Sequence, residues 1–183
     1  MKEIPEYCRV QRVQRDVPTK YWVAGVDKTN LRQYMDQTYG SSSRDIRARE
    51  PKNKTIDWDA VSLQVLEYEA SKGVEFFISV VDTTNDILIG FCRMRFPYAF
   101  LRDEITHNSA IIRELHVYGV ATKLNEEGSV QHRGFGKKLM AKAEEIAKEQ
   151  NKNKMVVISG IGAKEYYYKL GYTKDGVYVS KKI

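Results

Sequence analysis

Cysteine is nearly missing from this chain: Cys8 and Cys92 are the two present in 183 residues, far apart and in no metal-ligand pair. A disulfide framework is thereby excluded, and two free thiols fit a reducing compartment. No secretory leader and no apolar run of about 18 residues can be read, so no membrane is expected as a partner and the expected location is cytoplasmic. Internal repeats and low-complexity tracts are absent as well. What is present is a hydrophobic share of 42%, enough for one domain with a proper core plus an annex, and a net charge of +6. The charge is unevenly spread: residues 1–54 carry +5 and residues 55–183 carry +1.

The basic annex sets Arg9, Arg12, Arg15, Lys20, Arg32, Arg44, Arg47, Arg49, Lys52 and Lys54 among Tyr7, Tyr21, Trp22, Tyr34 and Tyr39. Arginine clamps phosphate and aromatic rings stack unpaired bases, so this mixture points to single-stranded or looped RNA, with Arg44, Arg47 and Arg49 as the candidate contacts. A solvated basic face, or a contact surface for another part of a larger protein, would give the same composition.

The chemistry concentrates further on. Gln131-His132-Arg133-Gly134-Phe135-Gly136 follows a strand-like segment, Ala110 to Tyr118, and opens a helix whose apolar stripe is Leu139, Met140, Ala143, Ile146 and Ala147. A helix N-terminus offers unpaired N–H groups and the positive end of its dipole, and glycines let a phosphorylated ligand approach without a Cβ in the way. Lys137 and Lys138 add charge at the rim. A P-loop would need Gly-Lys-Ser/Thr, and here Gly-Lys-Lys ends the turn. A dinucleotide fingerprint would need glycine at Gln131 and an acidic residue about 20 positions on.

Around this turn, Asp57 to Lys72 reads as a helix stopped by Gly73, then Phe76 to Val81 and Leu88 to Met94 as a strand pair. Thr122 to Val130 reads as a loop. After the helix come a strand, Met155 to Ser159, a break at Gly160-Ile161-Gly162, a short helix from Ala163 to Leu170 ended by Gly171, and a closing strand at Val177-Tyr178-Val179. Antiparallel strands followed by a strand-helix-strand crossover make a mixed α/β sheet.

Gln-x-x-Gly-x-Gly and the later Tyr166-Tyr167-Tyr168-Lys169-Leu170-Gly171-Tyr172 resemble the acyl-CoA signature and the Tyr-x-Lys-x-Gly-Tyr segment of GCN5-related N-acetyltransferases (the GNAT fold). Arg113-Glu114-Leu115-His116-Val117-Tyr118-Gly119, Val157-Ile158-Ser159-Gly160, Val13-Gln14-Arg15-Asp16-Val17-Pro18, Arg44-Asp45-Ile46-Arg47 and Asp86-Ile87-Leu88-Ile89-Gly90 narrow the likeness to the Elongator catalytic subunits, over essentially the whole chain. The resemblance implies a GNAT domain at 55–183 and, at 1–54, a linker annex continuing from a radical-SAM half. It implies acetyl-CoA as cofactor, the transfer RNA anticodon loop as partner, and that radical-SAM half and other Elongator subunits as further partners. The 4Fe-4S cluster and S-adenosylmethionine of such a half are not bindable by this chain, whose two cysteines cannot form the cluster motif. Family members also carry a cysteine-liganded zinc near the junction; Ser41-Ser42-Ser43 stands there, and no metal is assigned.

By the same likeness, Glu114, Leu115, His116, Val117, Gln131, His132, Arg133, Gly134, Phe135, Gly136, Lys137, Lys138 and Tyr167 are expected to contact acetyl-CoA. The Glu114–Val117 strand edge can pair its backbone with the two amides of the pantetheine arm and supply an oxyanion donor. Glu114 reads either as a raised-pKa base or as a carboxylate tied to Arg113 or another cation. His116 reads as a base or as a hydrogen-bonded histidine of the core or cleft, and His132 as a phosphate or substrate contact. Tyr166 and Tyr167 are candidate acids for the departing thiolate, since a phenol of pKa ~10 can donate to sulfur. Adjacent helix residues diverge by about 100°, so only one of the two is expected to face the thioester. Three functions fit: acetyl supply for wobble-uridine modification, direct acetylation of protein lysine, and a non-catalytic acyl-CoA sensor. Lysine substrates are net-basic and suit a basic annex poorly.

Overall fold

The computed structural model describes residues 3–13, 19–21, 23–25, 30–39, 43–119 and 134–183. The chain divides into two compact units, Met1–Glu50 and Pro51–Ile183.

The first unit contains a 3-10 turn, Thr19–Tyr21, and helix α1, Leu31–Tyr39, neither of which the composition of the annex reveals. Among its described residues the buried ones are mostly polar, Arg32, Ser43, Asp45 and Arg49, beside the apolar Ile46. Asp45, fully buried, accepts from Arg32 Nη1 and Nη2 at 3.0 and 2.7 Å, from Ser43 Oγ at 2.7 Å and from the Val10 amide at 3.1 Å. Burial alone would raise the Asp45 pKa, but these donors outweigh it and hold the carboxyl down at about 2.

The second unit is a seven-stranded mixed sheet in the order β1-β2-β3-β4-β5-β7-β6. Its strands are β1 (Val61–Ala70), β2 (Gly73–Asp82), β3 (Ile87–Phe96), β4 (Ser109–Val117), β5 (Lys154–Val157), β6 (Thr173–Asp175) and β7 (Tyr178–Lys182). Helix α2, Phe135–Glu149, crosses between the parallel strands β4 and β5, and α3, Lys164–Tyr168, follows β5. The expected strand pair, the strand before the crossover, the helix after it and the strand beyond are all present.

The segment expected as a helix over Asp57 to Lys72 is instead the edge strand β1. It pairs with β2 from Val61↔Asp82 to Ala70↔Gly73. Its good helix formers, Leu66, Glu67 and Ala70, are overridden by a tight hairpin at Ser71-Lys72, where φ is +47° and +61°. Such hairpin turns are dominated by Asn-Gly, Asp-Gly and Gly-Gly, so Ser-Lys gave no signal and Gly73, the first residue of β2, passed for a helix stop. The short strand β6 was not expected either. α3 ends at Tyr168 with Lys169 as its C-cap, two residues short of the expected Leu170, and Gly171 closes the turn beyond it at φ +85°, with the Tyr172 amide donating to the Tyr167 carbonyl at 3.1 Å.

One face of the sheet packs on α2. Phe76, Ile78 and Val80 of β2, Ile89, Cys92 and Met94 of β3, Ala110 and Ile112 of β4 and Val157 of β5 meet Phe135, Leu139, Met140, Ala143, Ile146 and Ala147. That is the apolar stripe read from the sequence, with Phe135 added. Burying each large aliphatic side chain contributes about 2 kcal/mol, so this face anchors the start of α2 against the end of β4. Cys92 is fully buried in it, and burial pushes its thiol up, as befits an inert core residue. Among the described residues no helix is long and apolar enough to cross a membrane.

Candidate functional site

Strands β4 and β5 run side by side only from Ser109↔Lys154 to Ile112↔Val157, the last bond being Ile158 N–H to the Ile112 carbonyl at 3.0 Å. Among the described residues, β4 continues to Val117 paired with β3 alone. From residue 113 to 117 its other edge opens into a wedge whose backbone groups pair with no strand among the described residues, an edge a ligand arm can use. A bulge marks the point of opening: Arg93 pairs with Glu114 and Met94 with Ile112, leaving Arg113 as the extra residue.

The bulge is pinned from the face opposite α2. Glu75 on β2, 1% exposed, accepts from Arg95 Nη1 at 2.7 Å and from Arg113 Nη1 at 2.5 Å. Glu114 accepts from Arg93 Nε at 2.9 Å. Sequence reasoning missed Glu75, although a lone carboxylate inside the apolar run of β2 is a usable sign of a buried pair.

At the mouth of the wedge lies the start of α2. Gly134 is the N-cap at φ +71°, without a side-chain cap, and the first turn holds no acidic residue. Among the described residues nothing neutralises the first amides of the helix or its positive end, which suits an anion. Lys137 and Lys138 are exposed beside them. A Cβ on Gly136 would lie 2.5 Å from the Tyr166 hydroxyl and 3.9 Å from Val117 Cγ2. Gly136, Val117 and Tyr166 thus converge from α2, β4 and α3. The Tyr166 hydroxyl is buried and has no hydrogen-bond partner among the described residues. Burial raises its pKa, with the neighbouring Cys92 a second contributor.

Tyr167 turns the other way. It is 6% exposed, belongs to the core, and meets Tyr166 and Tyr172 edge-on at 5.3 and 5.9 Å. Burial pushes its phenol up to about 12. Gly90, also missed, lets β3 approach β4 behind the wedge: a Cβ there would meet the His116 carbonyl at 2.9 Å.

Of the expected site residues, Leu115, Val117, Phe135, Gly136, Tyr166 and Tyr167 lie on or against the α2 face of the sheet. The side chains of Glu114 and His116 alternate to the opposite face, where Glu114 meets Arg93 and the His116 ring stacks on Phe91. Glu114 is thus tied to a cation, Arg93. Gln131, His132 and Arg133, and the loop Thr122 to Val130, lie outside the described residues.

The three arginines proposed for RNA do not form one surface. Arg49 is 2% exposed and donates to the Glu6 carbonyl at 3.0 Å, so the expectation of a phosphate contact is corrected there. Arg44 is exposed and 3.3 Å from the Glu6 carboxylate, and Arg47 donates to the Gln11 carbonyl. Charge alone could not foretell this, because the same unit supplies their partners.

A separate groove of about 480 Å³ lies between β1 and the start of α2, lined by Trp58, Val61, Ser62, Leu63, Val80, Phe135 and Lys138. None of the wedge-forming residues of β4 or α3 lines it.

A mixed sheet splayed between two parallel strands, with a glycine-led helix at the mouth, defines the acyl-CoA-binding acetyltransferase class. The chain belongs to the acetyltransferase (GNAT) family, whose model matches residues 35–172. It is 44% identical to the tRNA uridine(34) acetyltransferase of Methanocaldococcus jannaschii over 97% of this chain and 35% of that protein. It is 40% identical to Elongator complex protein 3 of Saccharomyces cerevisiae over 98% of this chain and 35% of that protein. Its fold matches the archaeal Methanocaldococcus infernus Elp3 structure with a TM-score of 0.87 at 41% identity, covering 100% of this chain and 46% of that one. The chain thus spans about a third of the length of these curated relatives.

Proposed function

We propose that this chain is the acetyl-CoA-binding part of a transfer RNA wobble-uridine modifying enzyme. The observation that carries it is the buried Tyr166 hydroxyl, unpartnered among the described residues, over Gly136 and Val117 at the edge of β4. Buried polar groups are rarely left unpaired, and one aimed at a cradle that a single Cβ would fill is fitted for a ligand. The names of the relatives support the substrate class.

Acetyl-CoA, when bound, supplies an acetyl thioester and a thiol leaving group. The roles at the pyrophosphate, the pantetheine arm and the thioester belong to the chain. The first amides of α2, with Lys137 and Lys138 at the rim, hold the pyrophosphate. The edge of β4 from 113 to 117 pairs with the pantetheine amides, and one of its N–H groups donates to the thioester carbonyl. The Tyr166 phenol is protonated at neutral pH in any case, and burial raises its pKa further, so it would give its proton to the sulfur as the acyl carbon–sulfur bond breaks, leaving free CoA thiol. Arg44 remains the exposed arginine of the RNA set. The radical chemistry that the resemblance implies for carbon 5 of uridine, with a 4Fe-4S cluster and S-adenosylmethionine, falls to the rest of the enzyme.

The test is CoA release from acetyl-CoA by this chain and by the intact enzyme, each alone, with transfer RNA, or with a basic peptide. Release stimulated by transfer RNA supports the proposal. Stimulation by the peptide alone favours lysine acetylation, and binding without release under every condition favours a sensor.

A further inference from the structure

On the sheet face turned away from α2, β4 and its immediate continuation carry Glu114, His116 and Tyr118. His116 is paired directly across from Phe91 and its ring stacks on Phe91 at 5.8 Å and 27°. Tyr118 stands against the same imidazole at 4.4 Å, 66° from parallel. Phe91 is fully buried while His116 is exposed, so one face of the imidazole rests on a rigid floor and the ring remains open to solvent. Beside it Glu114, its side chain 43% exposed, spends Oε2 on Arg93, and Oε1 has no protein partner among the described residues. The Arg93 guanidinium is itself held 5.5 Å over both the Phe77 and Phe91 rings.

The position of this ledge matters as much as its composition. Val117, the neighbour of His116, reaches the Gly136–Tyr166 mouth. Successive strand residues rise by about 3.3 Å and point to opposite faces, so the ledge lies one strand step from the acyl wedge, on the reverse side of the same strand. An acceptor held there approaches the β4 edge without displacing anything on the α2 side.

We infer that His116, floored by Phe91 and flanked by Glu114, is the stacking site for the acceptor's pyrimidine ring, and that Glu114 Oε1 accepts from the ring's imide N–H. This rests on the wobble-uridine reading above. A fixed imidazole offers a π-face to a splayed-out base, and stacking of this kind tolerates any base. The carboxylate adds discrimination: uracil carries an N–H at N3, whereas neutral cytosine presents a lone pair there and is repelled. The ledge thus selects an unpaired uracil over cytosine.

The experiment titrates the chain with single-stranded oligouridylate, oligocytidylate and a lysine-containing peptide. It compares wild type, His116→Ala, His116→Phe and Glu114→Gln, with acetyl-CoA affinity read in the same samples and folding checked by circular dichroism. Oligouridylate is expected to bind wild type several-fold more tightly than oligocytidylate. His116→Ala is expected to lose roughly tenfold, the size of one base stack, and His116→Phe to restore most of it. Glu114→Gln is expected to erase the preference for uracil over cytosine. The inference is overturned if His116→Ala binds like wild type, if His116→Phe fails to rescue, if wild type binds no oligouridylate, or if the peptide takes the site instead. Failure of wild type to bind acetyl-CoA strikes the functional reading separately, because the oligonucleotide titrations do not need the cofactor.

Discussion

The Tyr166 hydroxyl stands 2.5 Å from where a Gly136 Cβ would be. Glycine here is thus a requirement of the neighbouring side chain rather than of backbone conformation, whereas Gly134, at φ +71°, is required by its backbone and would meet nothing within 4 Å among the described residues. Gly136→Ala is expected to displace the phenol and weaken acetyl-CoA binding by about tenfold, or ~1.4 kcal/mol. Adding Tyr166→Phe removes the clashing oxygen, so the double variant should recover stability relative to the sum of the single changes. A double-mutant cycle by thermal denaturation checks it, with a coupling of about 1 kcal/mol expected.

The two adjacent tyrosines should separate kinetically. Tyr166→Phe keeps the ring and loses the buried donor, so acetyl-CoA affinity is retained while CoA release falls by about a hundredfold. Tyr167→Phe, deep in the core, should alter release by far less. Since burial raises both phenols and holds Tyr167 up at about 12, neither should produce an alkaline fall in rate near neutrality. Single-turnover release measured across pH distinguishes the pair.

What was legible beforehand followed regular periodicity. The helix after Gly134 kept its stripe from Leu139 to Ala147, and the glycine turn, the Tyr166–Tyr167 pair and Gly171 occupy the places their residue types demand. What was not legible depended on partners distant in sequence. β1 was hidden because Ser71-Lys72 adopts a turn usually written with glycine. The annex seemed a basic surface because no local pattern shows Asp45 reaching Arg32, or Glu6 reaching Arg44 and Arg49. The orientation of Glu114 and His116 required knowing that a bulge at Arg113 resets which face each residue takes.

That bulge depends on Glu75. Glu75→Gln leaves the half-buried Arg95 and the exposed Arg113 facing an uncharged partner, and weakening these charge-assisted hydrogen bonds costs on the order of 2 kcal/mol. Urea unfolding should record that loss, and acetyl-CoA affinity should fall with it because the β4 edge is no longer fixed. Glu75→Asp should restore part of both.

Asp45 ties stability to acid. Its folded pKa, about 2, lies below the ordinary carboxylate value of 3.8, so its contribution is fully present above that ordinary value and is lost as pH falls toward 2. Denaturant midpoints followed from pH 6 to pH 2 should drop in this window. Asp45→Asn should lower stability near neutrality by about 3 kcal/mol, the cost of stranding Arg32, and flatten the acid dependence.

The central claim is that acetyl-CoA enters the wedge at β4 and the start of α2. Backbone hydrogen exchange with and without acetyl-CoA tests it residue by residue. The expected result is protection confined to residues 113–117 and the first turn of α2, from 135 to 137. Binding that leaves these amides unprotected, or that protects Trp58 and Leu63 beside the separate groove instead, would contradict the account.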